Sequence, residues 1–417
     1  MKVKVNSDFP LYMGIFFFSV SALLFELSLT RVFSILQWNY LAFMIISIAF
    51  LGYGASGTFL SVFSGILKKA GGNNLYKYLL LFSLLFSLSS LFSIFFISKI
   101  PFDLYRVIMD RYQLLYLVIY YLSITIPFFF AGICISLAIS KLPEKVNKIY
   151  FCDLSGAAIG CISFLILANY ISLSHLLIIP PLLSFLASFL FSLKLNNKKS
   201  IIYIVGIFIF TILFFSAENF YSLPINPYKT AFTLLRFPQS KIIERRENSF
   251  SRLEVVESNG VKYAPGLSLN FSGEIPEQLG MVTDRDGLSA ITRLEADNDL
   301  DRLKRIEFSD YISSALGFHL ARNIENREKI LIIGPGGGLD ILGGIYNEAE
   351  EIWGIEMNPN VKSLMQDNFA DYSGNIYKRK GTKILTGEGR SIVKGLEQKF
   401  DLIQISLIGS SNTASGG

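Results

Sequence analysis

The sequence predicts a multi-pass α-helical membrane domain, followed by a small β-rich module and an α/β domain of nucleotide-binding type. Three observations carry this reading. Up to about Ala217 the chain is a series of apolar runs rich in Phe, Leu, Ile and Ser. From Glu218 onward charged residues become frequent, as in a domain surrounded by water. Near the end, Lys329–Pro359 reads as strand, glycine turn, helix, strand and acid, the nucleotide half-site of an open α/β sheet. A chain of 417 residues has room for two or three domains, and the boundaries fall at 1–217, 218–326 and 327–417.

A membrane-spanning helix needs about 20 apolar residues. Seven stretches qualify by eye, at roughly 11–36, 40–67, 75–98, 112–140, 150–171, 174–193 and 200–217. The sixth is the weakest, because Pro180-Pro181 interrupts it. Lys2, Lys4, Lys68, Lys69, Lys77, Lys141, Lys145, Lys148, Lys194, Lys198 and Lys199 all fall on the side of the N-terminus. The positive-inside rule therefore places the N-terminus in the cytoplasm, and the expected location is a prokaryotic cell membrane. An odd number of spans would put the nucleotide-type domain outside, away from any cytoplasmic nucleotide, so the side it faces stays open.

Glu26, Arg31 and Asp153 are the ionisable residues that stand out in the spans, and charges at membrane depth are functional candidates by default. One reading of Glu26 and Arg31 is a snorkelling arginine with a structural ion pair. The other is the lining of a substrate entrance. Gly52, Gly54, Ser56 and Gly57, and the G-x-x-x-G of Gly156 and Gly160, are read as close helix packing in preference to a ligand site. Cys134, Cys152 and Cys161 have no metal-ligand spacing and are read as small hydrophobes. His175 is read as an interfacial residue. The net charge of +5 is modest, and no basic stripe with interleaved aromatics points to nucleic acid.

In the connecting segment, Arg252–Glu257 alternates like a half-buried strand. Asn259-Gly260 signals a tight turn with a return strand from Val261, and Asp286-Gly287 marks a second hairpin. A helix is expected over about Glu307–Arg322, with His319 either packing that helix or lining a site.

The glycine spacing then chooses between cofactors. A dinucleotide site wants G-x-G-x-x-G, but the third fingerprint position here is Leu339. Gly334, Gly336 and Gly338 give G-x-G-x-G instead, the form of a Rossmann-like S-adenosylmethionine-type domain. Glu356 ends the second strand where ribose hydroxyls would be held. A third strand near Lys383–Leu385 leads to Gly387-Glu388-Gly389-Arg390, and a fourth, Phe400–Ile405, ends at Ser406. Glu356, Glu388 and Ser406 all lie beyond the carboxyl ends of strands, where open sheets bind ligands.

With these motifs in hand, the sequence resembles the membrane-embedded spermidine-synthase-like proteins, which join a multi-span region to a domain similar to polyamine aminopropyltransferases. The resemblance rests on Phe25-Glu26 with Arg31, the Gly52–Gly57 patch and the stretch from Tyr150 through Asp153 to Gly160. In the second half it rests on IIGPGGGLD, GIEMNP, GEGR and FDLIQISL. It implies S-adenosylmethionine or decarboxylated S-adenosylmethionine held by Gly334, Gly336 and Gly338, with Glu356 at the ribose and Glu388 at the adenine. It also implies transfer of an aminopropyl or methyl group to a small amine or a membrane-associated acceptor, in a protein in contact with the lipid bilayer and compatible with a homo-oligomer.

Two departures stand against spermidine synthesis itself. Where the family's glycine turn carries an acid this chain has Gly337, and the nearest acid is Asp340. The acid that ends the family's fourth strand is replaced by Ser406. Asp340 and Ser406 are thus the substitute catalytic candidates. The alternative reading is a transporter or membrane scaffold with a ligand-sensing or inactive synthase-like domain. Because the chain ends at Gly417, soon after the fourth strand, a C-terminally truncated fragment with an incomplete α/β domain is expected.

Overall fold

The computed structural model describes residues 8–37, 39–100, 102–195, 200–221, 225–294, 299–321 and 329–406. Lys2, Lys4, Lys198, Lys199, Arg322 and the stretch after Ser406 lie outside the described residues. The chain divides into two compact units, Met1–Pro224 and Ile225–Gly417.

The first unit contains α1 (Phe9–Leu36), α2 (Asn39–Val62), α3 (Ser64–Lys69), α4 (Asn73–Lys99), α5 (Arg111–Lys141), α6 (Val146–Leu167), α7 (Leu173–Leu176), α8 (Ile179–Ser192), α9 (Ser200–Phe215) and α10 (Ala217–Phe220). Among the described residues, six helical segments are long and apolar enough to cross a membrane: Phe9–Leu36, Phe43–Val62, Asn74–Lys99, Arg111–Lys141, Pro143–Leu167 and Leu173–Leu195. The seventh expected stretch is a shorter apolar helix among the described residues. The last stretch forms the 16-residue helix α9, about 24 Å long at 1.5 Å per residue, short of a hydrocarbon core of about 30 Å. The sixth segment is broken just before the Pro180-Pro181 pair, between α7 and α8. The pair opens α8, where a missing N–H costs nothing. Two serines meet the carbonyls of the pair: Ser21 Oγ donates to Pro180 O, and Ser87 Oγ donates to Pro181 O at 2.7 Å.

Helix α1 packs against α2, α6 and α8, so its residues are buried along most of its length. Small residues let backbones meet. A Cβ on Gly160 would sit 2.8 Å from Val20 O of α1, and one on Gly156 would overlap the carbonyl of Phe16. Gly52 is pressed against Phe128 and Thr125 of α5 in the same way, whereas Gly54 and Gly57 face open space. Helix packing thus accounts for the G-x-x-x-G and for half of the small-residue patch. Gly156→Leu is expected to cost about 1–3 kcal/mol, the range for overpacking. Gly54→Leu, with room for its side chain and a better helix former, should be neutral or slightly stabilising. Thermal unfolding of the two variants in detergent checks the contrast.

The second unit opens with α11 (Thr230–Leu235) and an antiparallel sheet of β1 (Lys241–Glu247), β2 (Arg252–Glu257), β3 (Gln278–Thr283) and β4 (Gly287–Thr292), paired in that order. The Asp286-Gly287 hairpin forms, pairing Thr283 with Gly287. The return strand expected from Val261 does not. Tyr263 instead gives its N–H to Gln278 Oε1 at 2.6 Å and takes Gln278 Nε2 on its carbonyl at 3.2 Å. One side chain thereby replaces a ladder, and β3 becomes the partner of β2.

Helix α12 (Asp299–Ile306) and α13 (Leu316–Ala321) follow, with 3₁₀ turns at Glu307–Asp310 and Ser313–Ala315 between them. The expected continuous helix from Glu307 is therefore broken. Ile312 is extended, and the loop before β3 takes up the freed backbone: Ser268 N–H donates to Tyr311 O and Ser313 N–H to Pro265 O.

The chain then enters a parallel sheet of β5 (Lys329–Ile333), β6 (Glu351–Glu356), β7 (Thr382–Thr386) and β8 (Leu402–Gln404) in the order β7-β6-β5-β8. Helix α14 (Leu339–Tyr346) links β5 to β6, α15 (Pro359–Ser363) leaves β6, and α16 (Gly389–Gly395) precedes β8. Ile330, Leu331 and Ile332 are buried at the centre, as a short apolar run in a covered parallel strand should be. The chain winds outward from β5 through β6 to β7, then returns to the other side of β5. The reversal between β5 and β8 is the point where open sheets leave a crevice at the strand ends.

Candidate functional site

Five residues after β5 form the glycine turn. Gly334, Gly336 and Gly338 have φ of 75°, 53° and 93°, the left-handed region that disfavours side chains. Gly334 N–H donates to Ile355 O of β6 at 2.9 Å, and no atom of the described residues lies within 4 Å of where its Cβ would be. That side of the turn is open. The other side is covered by β4 and by Tyr377. Gly337 N–H donates to Ser289 Oγ at 2.7 Å, and Tyr377 Oη donates to Gly336 O at 2.6 Å. A Cβ on Gly337 would overlap the carbonyl of Ala290. As β4 docks on the turn, it leaves no room for a side chain at this position. Ser289, Ala290 and Tyr377 escaped sequence reasoning because nothing in the local pattern ties a strand before the α/β region, or a residue between α15 and β7, to the turn.

Glu356 ends β6 beside the turn and is buried. One oxygen accepts Gly336 N–H at 3.3 Å and the other Asn358 N–H at 2.9 Å. Burial pushes its carboxyl above the usual range, against the opposing pull of the Asn358, Gly336 and Met357 N–H groups. Asn358 is itself fixed from β-module residues: Asn248 Nδ2 donates to its Oδ1 at 2.7 Å, and its Nδ2 donates to Ser251 Oγ at 2.6 Å. The antiparallel sheet therefore holds both the glycine turn and the loop that carries Glu356.

Glu388 is differently placed. It caps α16, accepting the N–H groups of Arg390 and Ser391 and the Ser391 hydroxyl at 3.0, 2.7 and 2.7 Å, on the surface. The Ser391 hydroxyl, then those N–H groups, hold its carboxyl below the usual range.

Asp340, in the first turn of α14, is buried at 7% exposure. Gln404 Nε2, from the end of β8, donates to its Oδ1 at 2.9 Å. Burial pushes the Asp340 carboxyl above the usual range, against the opposing pull of the nearby Ser314 and Ser406 hydroxyls and of Gln404. The structure thus brings Asp340 and Ser406 together at the β5/β8 reversal, with Gln404 and Ser314, which sequence reasoning did not single out. His319 lies elsewhere, exposed on its helix and bonded through Nε2 to Asp310.

In the first unit, Ser19 Oγ donates to Asp153 Oδ1 at 2.5 Å, joining α1 to α6. Glu26 is half-buried two helical turns further along α1, and Tyr53 of α2 is within electrostatic reach of both carboxylates. Arg31 Nη1 donates to Ser34 Oγ at 3.4 Å, and no contact joins it to Glu26 among the described residues. His175 bonds Ser172 and stacks edge-on against Phe214. Among the described residues no group of His, Cys, Asp and Glu is arranged to hold a metal ion.

The chain was compared with known proteins. It is similar to a polyamine aminopropyltransferase from Korarchaeum cryptofilum (strain OPF8), at 27% identity over 85 residues. That stretch is 20% of this chain and 26% of the archaeal protein, so the similarity spans about a quarter of the relative. No family model matches the chain. The chain thus shares a short stretch of similarity with an aminopropyltransferase, and its described residues include six helical segments long and apolar enough to cross a membrane.

Proposed function

We propose that the protein is a membrane-bound transferase whose second unit is Rossmann-like and takes an S-adenosylmethionine-type sulfonium, decarboxylated or not, and moves its aminopropyl or methyl group to an amine or membrane-associated acceptor. The observation that carries this is Glu356. A buried carboxylate stands at the end of the second strand, beside a turn of left-handed glycines that is open at Gly334. Among the described residues its two oxygens are bonded by backbone N–H groups, leaving lone pairs for a ribose diol. The distant aminopropyltransferase supports the same reading.

When bound, the sulfonium supplies an electrophilic carbon. The residues here supply position: the turn gives close backbone approach, and Glu356 fixes the nucleoside. Such a step depends mainly on holding the reactants in line. The test is turnover with each sulfonium and an amine acceptor. Release of methylthioadenosine marks aminopropyl transfer, release of S-adenosylhomocysteine marks methyl transfer, and release of neither with any acceptor overturns the assignment.

A pH dependence follows. Burial raises Glu356 in the free protein, whereas hydroxyl donors from a ribose favour the ionised carboxylate. Binding therefore releases protons in the window between the free and bound values. Affinity should rise with pH up to the free-protein value and then level off. Calorimetry across a pH series, in buffers of different ionisation enthalpy, reads both the trend and the released proton. Affinity that grows on acidification contradicts it.

With six crossings, the N-terminus and the second unit share a side, and the lysine-rich loops make that side the cytoplasm. A cysteine at the exposed Asn259, in a background without Cys134, Cys152 and Cys161, should react with an impermeant thiol reagent only after cells are opened. Labelling of intact cells would mean that α9 crosses as well.

A further inference from the structure

Three of the apolar helices bring an ionisable side chain to the middle of the first unit. Ser19 and Glu26 lie on either side of the midpoint of α1. The segment Phe43–Val62 centres on Tyr53. The segment Pro143–Leu167 starts earlier than the span expected from residue 150, which carries Asp153 away from the end of its helix and close to the middle.

Ser19 and Glu26 are separated by nearly two full turns, so they share a face of α1. Ser19 donates to Asp153 at 2.5 Å, which fixes that carboxyl beside Ser19. Glu26 then stands roughly 10 Å further along the helix, at about 1.5 Å per residue. Helix α6 gives a similar spacing independently. Cys161, which is within electrostatic reach of Glu26, lies about 12 Å beyond Asp153 by the same rise. Tyr53 of α2 is within reach of both carboxyls and flanks the interval between them.

The interval is accessible. Glu26 and Asp153 are only half-buried. Tyr53 has protein on nearly every side and still keeps part of its surface uncovered, as a residue lining a crevice does. Among the described residues the Glu26 carboxyl and the Tyr53 hydroxyl have no hydrogen bond, and neither carboxyl has a cationic partner. Arg31, further along α1, bonds Ser34. Carboxylates at such depth are costly, and as a rule they meet a cation or line a path for one. A single metal ion would need several oxygens within about 2.6 Å, and these two carboxyls are too far apart to share it.

We propose that the first unit binds a linear aliphatic dication along α1, with one ammonium at Asp153, the other at Glu26 and the chain passing Tyr53. The spacing sets the length: two ammonium groups roughly 10 Å apart, as in an extended 1,8-diaminooctane. Each ammonium pairs with a carboxyl where the dielectric is low and charge pairs are strong. The methylenes between them lie against the apolar helices. Nothing in this site depends on the sulfonium reading above.

The test is calorimetric titration of the full chain in detergent, with empty micelles as the blank. Wild type should bind 1,8-diaminooctane saturably and about 10-fold or more tighter than two controls. One is 1,3-diaminopropane, too short to span the interval. The other is octylamine, which has the chain but a single charge. Glu26→Gln should bring the diamine down to the affinity of octylamine, a loss of discrimination that a packing fault would not reproduce, with the thermal midpoint close to wild type. Asp153→Asn should do the same. If it does not fold, because it also disturbs the Ser19 contact, Glu26→Gln has no hydrogen bond to lose and carries the test. Absence of saturable diamine binding, equal affinity for the three amines, or diamine affinity unchanged in Glu26→Gln overturns the proposal. So does a wild-type dimer that Glu26→Gln separates, which would give the carboxyls to a second copy of the chain.

Discussion

Glu356→Gln is expected to weaken methylthioadenosine binding about 10- to 100-fold. A charged carboxylate accepting hydroxyl donors contributes about 1.5–3 kcal/mol per hydrogen bond, and each 1.4 kcal/mol is tenfold. The amide keeps the shape and one acceptor, so Asn358 N–H can still be met. It also turns a donor toward Gly336 N–H, which now bonds the second carboxylate oxygen. The loss should therefore fall on ligand affinity more than on the fold. Calorimetry reads the first, and the thermal midpoint of the second unit reads the second. Binding unchanged in the variant would place the nucleoside elsewhere.

The second large effect is at Gly337. Restoring an acid there looks like a repair of the aminopropyltransferase motif, yet Gly337→Asp is expected to damage the protein. Any Cβ meets the Ala290 carbonyl of β4, and the carboxylate would be buried against that carbonyl. Breaking the balance of a buried charge costs about 3–5 kcal/mol, enough to consume much of a domain's stability. Thermal unfolding should show the second unit melting far below wild type, with no gain of turnover. A variant that folds normally and makes spermidine would show that β4 yields and that the acid belongs at 337.

The contrast between Gly337 and Asp340 shows what a sequence can and cannot convey. The glycine turn, Glu356 and the strand–helix alternation were legible because each has a local signature: left-handed glycines, a period of two or an acid at a strand end. The apolar helices were legible because length and hydropathy are local quantities. The seventh stretch, 200–217, is apolar throughout, and its described helix, Ser200–Phe215, is 16 residues long. The return strand at Val261 was misread because Asn259-Gly260 does make a turn, and only the Gln278 side chain, farther along the chain, decides that no ladder follows. The strand Lys241–Glu247 was not anticipated, because KIIERRE has no apolar alternation and draws its order from pairing with β2. Likewise Gln404 and Ser314 gain meaning only when α14 and β8 meet at the reversal of the sheet. Long-range docking, of β4 on the turn and of Gln404 on Asp340, is the part that no local pattern encodes.

The central claim is that the turn and Glu356 form a nucleoside site. It is tested most directly by titrating the folded, full-length protein in detergent with S-adenosylmethionine, its decarboxylated form and methylthioadenosine. Saturable binding of at least one, at a single site per chain and weakened by Glu356→Gln, is the predicted result. A properly folded protein that binds none of the three contradicts the account.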